Sequence, residues 1–465
     1  MPQVKHEPNP GKGYISEYEK TIQRNIKERM EMLKKLNLDV IKEEAKAAIS
    51  PPKKKRKVFR RAKPEPMSSV PTRRSLRISK LEPSGEPLPE RPVTPPPPRK
   101  LGKETVQDAL VDGSTADGAL GFIEDIKQWL SKQERRQDIP ADSYTQALAN
   151  MTVTEDTWTK VTPQRICSMA FCPLQDKLVV AAGDKRGVLG LWDVSLADAG
   201  VHQLAAHNRH INGLSFAPHD GHHCFTTSYD GITRRLDLQK MELDQVYATA
   251  GSDDLYLIHH AHVGSAGLLI GRSDGQLVRV DLRSSDSVLH RVGSGDVRYI
   301  SVHPSREHTV VTVERPSTIS LWDMRRLKGE RSALQRVELP RACSSASISR
   351  RAGDALVALS SDDTIRLYSG LNSGDMLPTK TIRHNNHTGR WLTTFKPTWL
   401  PDSDDLFLVG SMDRPRRMEV YDRAGPVYHY LMGEELQSVC STIVCHPTQP
   451  AIAGGNSSGR VYVFQ

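Results

Sequence analysis

From about residue 161 onward, short apolar runs alternate with clusters of Gly, Asp, Ser and Pro, and the alternation repeats. A unit opens on an apolar strand that a proline stops, as in ICSMAFCP, INGLSFAP, VRYISVHP and STIVCHP. A second strand follows (LVVAAG, CFTTS, LLIGRS, TVVTVE, LVALSS, LFLVGS, AIAGG), then a tight turn such as Asp230-Gly231, Asp274-Gly275, Asp362-Asp363 or Ser458-Gly459. The third strand carries an aromatic or aliphatic marker: Trp192, Leu236, Val280, Trp322, Tyr368, Tyr421 and Phe464, at steps of 44, 44, 42, 46, 53 and 43. Seven markers at this period predict an all-β fold, a seven-bladed WD-repeat β-propeller over residues 153–465. The step of 53 puts an inserted loop in the sixth unit. The seventh unit has only three strands, and an open sheet edge is a liability. Residues near 153–161 are therefore expected to supply the fourth and close the ring.

Upstream the pattern changes. Residues 1–14 are polar and read as disordered. Over 15–38, Ile15, Tyr18, Ile22, Ile26, Met30, Leu33 and Leu36 recur every three or four positions, an amphipathic helix whose stripe docks either on its own propeller or on a partner. Ser16 and Glu19 have capping-box spacing. Residues 39–120 read as a Pro-rich basic linker; 13 of residues 51–100 are Pro. Residues 121–152 hold a short helix, with Phe122, Ile126, Trp129 and Leu130 on one side, and a linker. The expected whole is a propeller behind a disordered, basic N-terminal region containing short helices.

Composition agrees with a folded part diluted by a polar one: 37% hydrophobic, 26% charged, 30 Pro and 32 Gly in 465 residues. No apolar run approaches the roughly 20 residues of a membrane helix, and the first 30 residues show no secretory signal. The net charge of +9 is local. Residues 51–100 hold 15 Lys and Arg against four Asp and Glu, whereas residues 101–465 sum to −4. Within that segment Lys53, Lys54, Lys55, Arg56 and Lys57, between Pro52 and Val58, resemble a single-cluster nuclear localisation signal. The expected location is the nucleus, and the expected polyanion is nucleic acid.

Catalytic signatures are missing from the sequence. It has no Gly-rich phosphate loop, no H-E-x-x-H and no G-x-S-x-G. The turn aspartates read as backbone caps. The six cysteines form no C-x-x-C pair and read as reduced core residues, so no metal centre is expected from them. The chain is read as a non-enzyme with no cofactor and no small-molecule substrate.

The least generic stretch opens unit six, Ile382 to Trp399 (IRHNNHTGRWLTTFKPTW). It gathers cations, amides, His384, His387 and aromatics where a plain blade needs none. Arg and Lys suit phosphates, and Trp391 suits stacking on or between bases; Trp391 and Trp399 equally suit the blade core.

HNNHTGRWLTTFKPTW, AAGDKRGVLGLWDV at 181–194, SYDG at 228–231, GSMDRPRR at 410–417 and GGNSSGRVYVF at 454–464, with the helix YEKTIQRNIKERMEMLKKLNL, resemble the WD repeat-containing protein 76 family, whose fungal members are the changed-mutation-rate nuclear proteins. The family is related to the small subunit of damage-specific DNA-binding protein, which drives a three-residue hairpin into the minor groove at a lesion. The resemblance implies a wedge at Gly389, Arg390 and Trp391, although the relative's Phe-Gln-His is absent. It further implies DNA contacts from Lys185, Arg186, Tyr229, Arg234, Arg272, Lys396, Arg414, Arg416 and Arg417. The implied partner is double-stranded DNA with a damaged or modified base. Trp322-Asp323-Met324-Arg325 matches the WDxR pattern of receptors that dock on the adaptor of a cullin ubiquitin ligase, with Trp322, Asp323 and Arg325 as the contact. A chromatin or histone scaffold binding through the basic tail is a further alternative.

Overall fold

The computed structural model describes residues 99–111, 116–133, 139–218, 220–250 and 254–465, together with Arg24 and Lys27, which are helical and exposed. The expected disordered residues 1–14, the rest of the helix over 15–38 and the basic run 53–57 lie outside the described residues.

Seven antiparallel four-stranded sheets form the body. They span 166–204, 211–248, 257–291, 297–338, 343–383 and 398–431, with 442–464 as the seventh. Within each blade the first strand is innermost, and neighbouring first strands pack around a central channel. Burial falls outward. The second strand Ala355–Ser360 is wholly buried, while the outermost strand of the same blade, Leu377–Arg383, is exposed except for Ile382. All seven marker residues lie on third strands and are buried. Their side chains fill clusters that span adjacent blades, as Trp192 does with Ala451, Ala453 and Val463.

The turn residues do what their chemistry allows. Asp184 Oδ1 accepts from the backbone N–H of Arg186 at 2.7 Å and of Val188 at 2.9 Å. Asn456 Oδ1 does the same for Ser458 and Arg460. At the equivalent turn Gly459 has φ +88°, and a Cβ there would stand 1.9 Å from the Thr162 carbonyl oxygen. His207, on the connection after blade 1, locks the blade 2 turn through Nδ1 to Asp230 Oδ2 (2.9 Å) and Nε2 to Thr226 Oγ1 (2.8 Å).

The ring closes as expected. Trp158–Lys160 pairs antiparallel with the last strand, Trp158 opposite Tyr462 and Lys160 opposite Arg460. The Trp158 and Tyr462 rings stack at 5.8 Å, and Trp158 Nε1 donates to Glu435 at 3.0 Å. Just before, Thr152 and Gln465 exchange two backbone hydrogen bonds.

One boundary differs from the reading by composition. Residues 99–111 are built onto the propeller rather than linking to it. Glu104–Thr105 adds a fifth strand to blade 2, and Val106 and Ala109 are buried. The proline run ends at 98, and the apolar residues and Glu104 that follow find partners. The helix also starts earlier, Ala116–Lys132; Ala119, Phe122, Ile123, Ile126 and Leu130 form its buried stripe. Among the described residues no helix is long and apolar enough to cross a membrane.

In blade 4, Glu314 is buried and accepts from Thr312 and from Ser320 Oγ (2.8 Å), while Thr312 Oγ1 accepts from Trp322 Nε1 (2.6 Å). Burial pushes its carboxyl from the ordinary 4.5 up to about 7. The folded chain keeps this proton between those two pH values and the unfolded chain loses it. The contribution of this group to stability therefore falls as pH rises through that window. Glu314→Gln is expected to flatten that slope in urea melts and to be more stable than the parent above it. An unchanged slope would count against a buried, protonated Glu314.

Candidate nucleic-acid interface

In a closed ring with this strand order, the turns between second and third strands and the connections between blades share one face. Lys185 and Arg186 lie on the blade 1 turn, Tyr229 on the blade 2 turn, and Arg414, Arg416 and Arg417 on the blade 6 turn. The connection from blade 5 to blade 6, residues 384–397, is the insertion and carries Gly389, Arg390 and Trp391.

This loop is pinned at its base. His384 and Asn386 are both buried, Nδ1 to Oδ1 at 2.6 Å. The Asn386 amide donates to the carbonyls of Ser360 (2.8 Å) and Thr364 (3.1 Å), and its backbone N–H to Asp363 (2.9 Å). His384 is thus a structural residue, and no metal-ligand cluster exists among the described residues. On the returning limb Phe395 and Trp399 are fully buried, so Trp399 belongs to the core. Thr393 Oγ1 donates to the Ile166 carbonyl at 2.5 Å, and Arg165 donates to the Arg390 carbonyl at 2.8 Å. Both partners belong to the start of blade 1, so the loop reaches across the channel mouth.

The tip points to solvent. Gly389 takes φ +60° with nothing near its missing side chain, and Arg390 is exposed. Trp391 is 73% exposed, the most exposed large apolar residue described. The Arg390 guanidinium lies 5.0 Å over its ring.

Positive charge converges beside the tip. Burial, then Arg165, Lys185 and Arg209, push the His210 imidazole down to about 4, so three cations crowd a neutral ring. Tyr229 packs edge-on against His210 (5.2 Å) and Tyr256 (4.9 Å). Among the described residues Lys185, Arg186, Arg390 and Arg414 have no ion-pair partner, and all are exposed.

The other expected contacts are placed differently. Arg234 is 1% exposed; it pairs with Glu104 at 2.7 Å and donates to the carbonyls of Lys100, Gly102 and Ala206. It anchors the residue 99–111 segment and reaches no surface. Arg272 is held by both oxygens of Asp274 and donates to the Tyr247 hydroxyl. Arg417 bridges Asp413 and Glu419 under the Tyr430 ring. Arg416 is half-buried and donates to the Met412 carbonyl at 2.7 Å. Lys396 points into the channel, 5.9 Å over the Tyr299 ring of blade 4. Its position just ahead of the innermost strand Thr398–Trp399 turns it inward.

Arg165, Arg209 and Arg341 on the same face escaped sequence reasoning. Their signal is a cation one or two residues ahead of an innermost strand, in PQRIC, NRHIN and PRACS.

Of the six tryptophans, Trp192, Trp322 and Trp399 are buried and Trp129 and Trp158 half-buried. Trp391→Phe should therefore remove most of the iodide-quenchable tryptophan fluorescence while changing stability by less than about 0.5 kcal/mol. Retained quenching would mean the tip is not presented to solvent.

No protein-family model matches the chain. WD repeat-containing protein 76 of Xenopus laevis is 33% identical over 98% of this chain and 83% of its own. The Mus musculus protein of the same name is 33% identical over 97% of this chain and 74% of its own. DNA damage-binding protein CMR1 of Phaeosphaeria nodorum is 25% identical over 97% of this chain and 98% of its own. At 33% identity over nearly its whole length, this chain belongs to the WD repeat-containing protein 76 family.

Proposed function

We propose that this face binds double-stranded DNA and recognises a damaged or modified base, as a non-catalytic reader in the nucleus. The observation that carries this reading is the exposed Arg390–Trp391 tip, braced across the channel mouth and flanked by unpaired cations. A pinned loop keeps an apolar wedge in place without ordering it at the moment of binding. Lys185, Arg186, Arg209 and Arg414 position the backbone by phosphate contacts that carry no sequence information. Trp391 enters the stack at a step already weakened by the lesion, where unstacking costs least. The names of the fungal relatives support damaged DNA as the ligand, and the basic run 53–57 supports nuclear import.

The test compares full-length protein on matched intact and abasic duplexes at two salt concentrations. Trp391→Ala is expected to cost about 1–3 kcal/mol on the abasic duplex and less on the intact one. Lys185→Ala should weaken both equally and lower the salt slope by about 1. Equal affinity of the parent for both duplexes would remove the recognition claim.

A second reading rests on the opposite face. Arg325 is exposed there and clasps Asp323 through Nε and Nη2 at 3.0 and 2.8 Å, which holds the Asp323 carboxyl down at about 2. Arg283 repeats the clasp on Asp281 in blade 3. A preset planar guanidinium suits a protein interface, and its place opposite the tip leaves both surfaces usable at once. The partner proposed is the cullin ligase adaptor. Arg325→Ala should abolish adaptor co-purification and leave duplex binding unchanged; persistence of the adaptor would refute this reading.

A further inference from the structure

The central channel holds a cation that the DNA-binding face does not use. Its volume is about 570 Å³, and its wall includes His259, Tyr299, Thr394, Lys396, Ser441 and Thr442. Lys396 enters at the mouth, directly beneath the loop that carries Trp391. Among the described residues its Nζ has neither a hydrogen bond nor an ion pair; it lies over the face of the Tyr299 ring. Lys396 is half-buried, and its ammonium, turned into the channel, has no protein anion beside it; an oxyanion in the channel would meet its donors. Burial accordingly holds the Lys396 amine below its ordinary value, and its charge helps hold His259 neutral.

The neighbouring groups are donors as well. His259 Nδ1 accepts from the Ile300 N–H at 3.3 Å, so the neutral ring carries its proton on Nε2. Ser441 Oγ and Thr442 Oγ1 are buried and have no partner. The arrangement therefore contains a cation, an imidazole N–H and two orphaned hydroxyls; the carboxylate on the channel wall, Glu307, lies on the turn after the first strand of blade 4, at the opposite end from Lys396.

We propose that the channel beneath the loop binds a tetrahedral oxyanion of the phosphate class, held by Lys396 with His259, Ser441 and Thr442. Several oxygens on one centre suit donors that line one channel from blades 3, 6 and 7, which a single-atom anion does not. The phosphate belongs either to a free small molecule or to a nucleic acid. Because Lys396 follows the wedge by five residues and Phe395 beside it anchors the returning limb, the bound anion would also secure the loop from below.

The site is tested on the full chain by lysine acetylation read peptide by peptide, in inorganic phosphate against chloride at equal ionic strength. An anion that raises the amine by one pKa unit lowers its reactive neutral fraction about tenfold. Phosphate is expected to slow Lys396 acetylation on that scale and to leave the surface residue Lys328 unaffected. It should also raise Tm in the parent and not in Lys396→Gln. Protection by a DNA duplex alone, with none from inorganic phosphate, assigns the site to a nucleic-acid phosphate. Trp391→Ala should retain the phosphate effect, which separates this site from the wedge. A Lys396 rate unchanged by both phosphate and duplex overturns the proposal.

Discussion

Three backbone-paired residues, Trp158–Lys160, complete a sheet whose other strands lie some 300 positions away in the chain. Each blade buries its faces against its neighbours, so no blade is finished until the last one is. At the junction of the seventh blade with the first, Trp192, Val461 and Val463 share one apolar cluster, and Tyr462 and Phe464 share another with Leu408 and Val420 of the sixth blade. An unpaired edge there would leave both clusters half covered. The closing strand, with the Thr152–Gln465 pair beside it, converts a linear array into a ring. That ring in turn dictates which loops share a face, and hence which distant cations can act together.

On that face the loop of residues 384–397 combines two opposite demands. At its base His384, Asn386 and Phe395 are buried, with Asn386 meeting carbonyls of the preceding blade. Its tip is open to solvent, with the Arg390 guanidinium over the Trp391 ring. Polar satisfaction at the base bears the entropic cost of ordering the loop in the unbound chain. Association then needs little further ordering at the tip. DNA damage-binding protein CMR1 of Phaeosphaeria nodorum is similar over 97% of this chain.

Much of the fold was legible because period and turn chemistry are local. Marker residues every 42–53 positions, Asp and Gly at the turns and prolines after first strands each report one blade without reference to the others. The closing strand was legible by elimination, since one blade lacked a partner. The site was only half legible. Exposed Trp391 and buried Trp399 stand eight residues apart in equally mixed surroundings, and only the register of Thr398–Trp399 against Phe407–Leu408 separates them. Arg234 and Lys396 look like any surface cation in one dimension. Their fates depend on Glu104, some 130 residues away, and on Tyr299, in a blade two positions round the ring. Charge partners distant in sequence leave no local trace.

The Arg234–Glu104 pair has a practical meaning for where the folded body begins. A fragment cut to the seven repeats alone would keep the guanidinium inside blade 2 while discarding its carboxylate and the carbonyls of Lys100 and Gly102. It would also strip Val106 and the Ala116–Lys132 helix from the apolar flank of blades 1 and 2. Aggregation of such a fragment would say nothing about the repeats themselves. A self-sufficient piece has to include the chain from about residue 99, some sixty positions ahead of the first recognisable repeat.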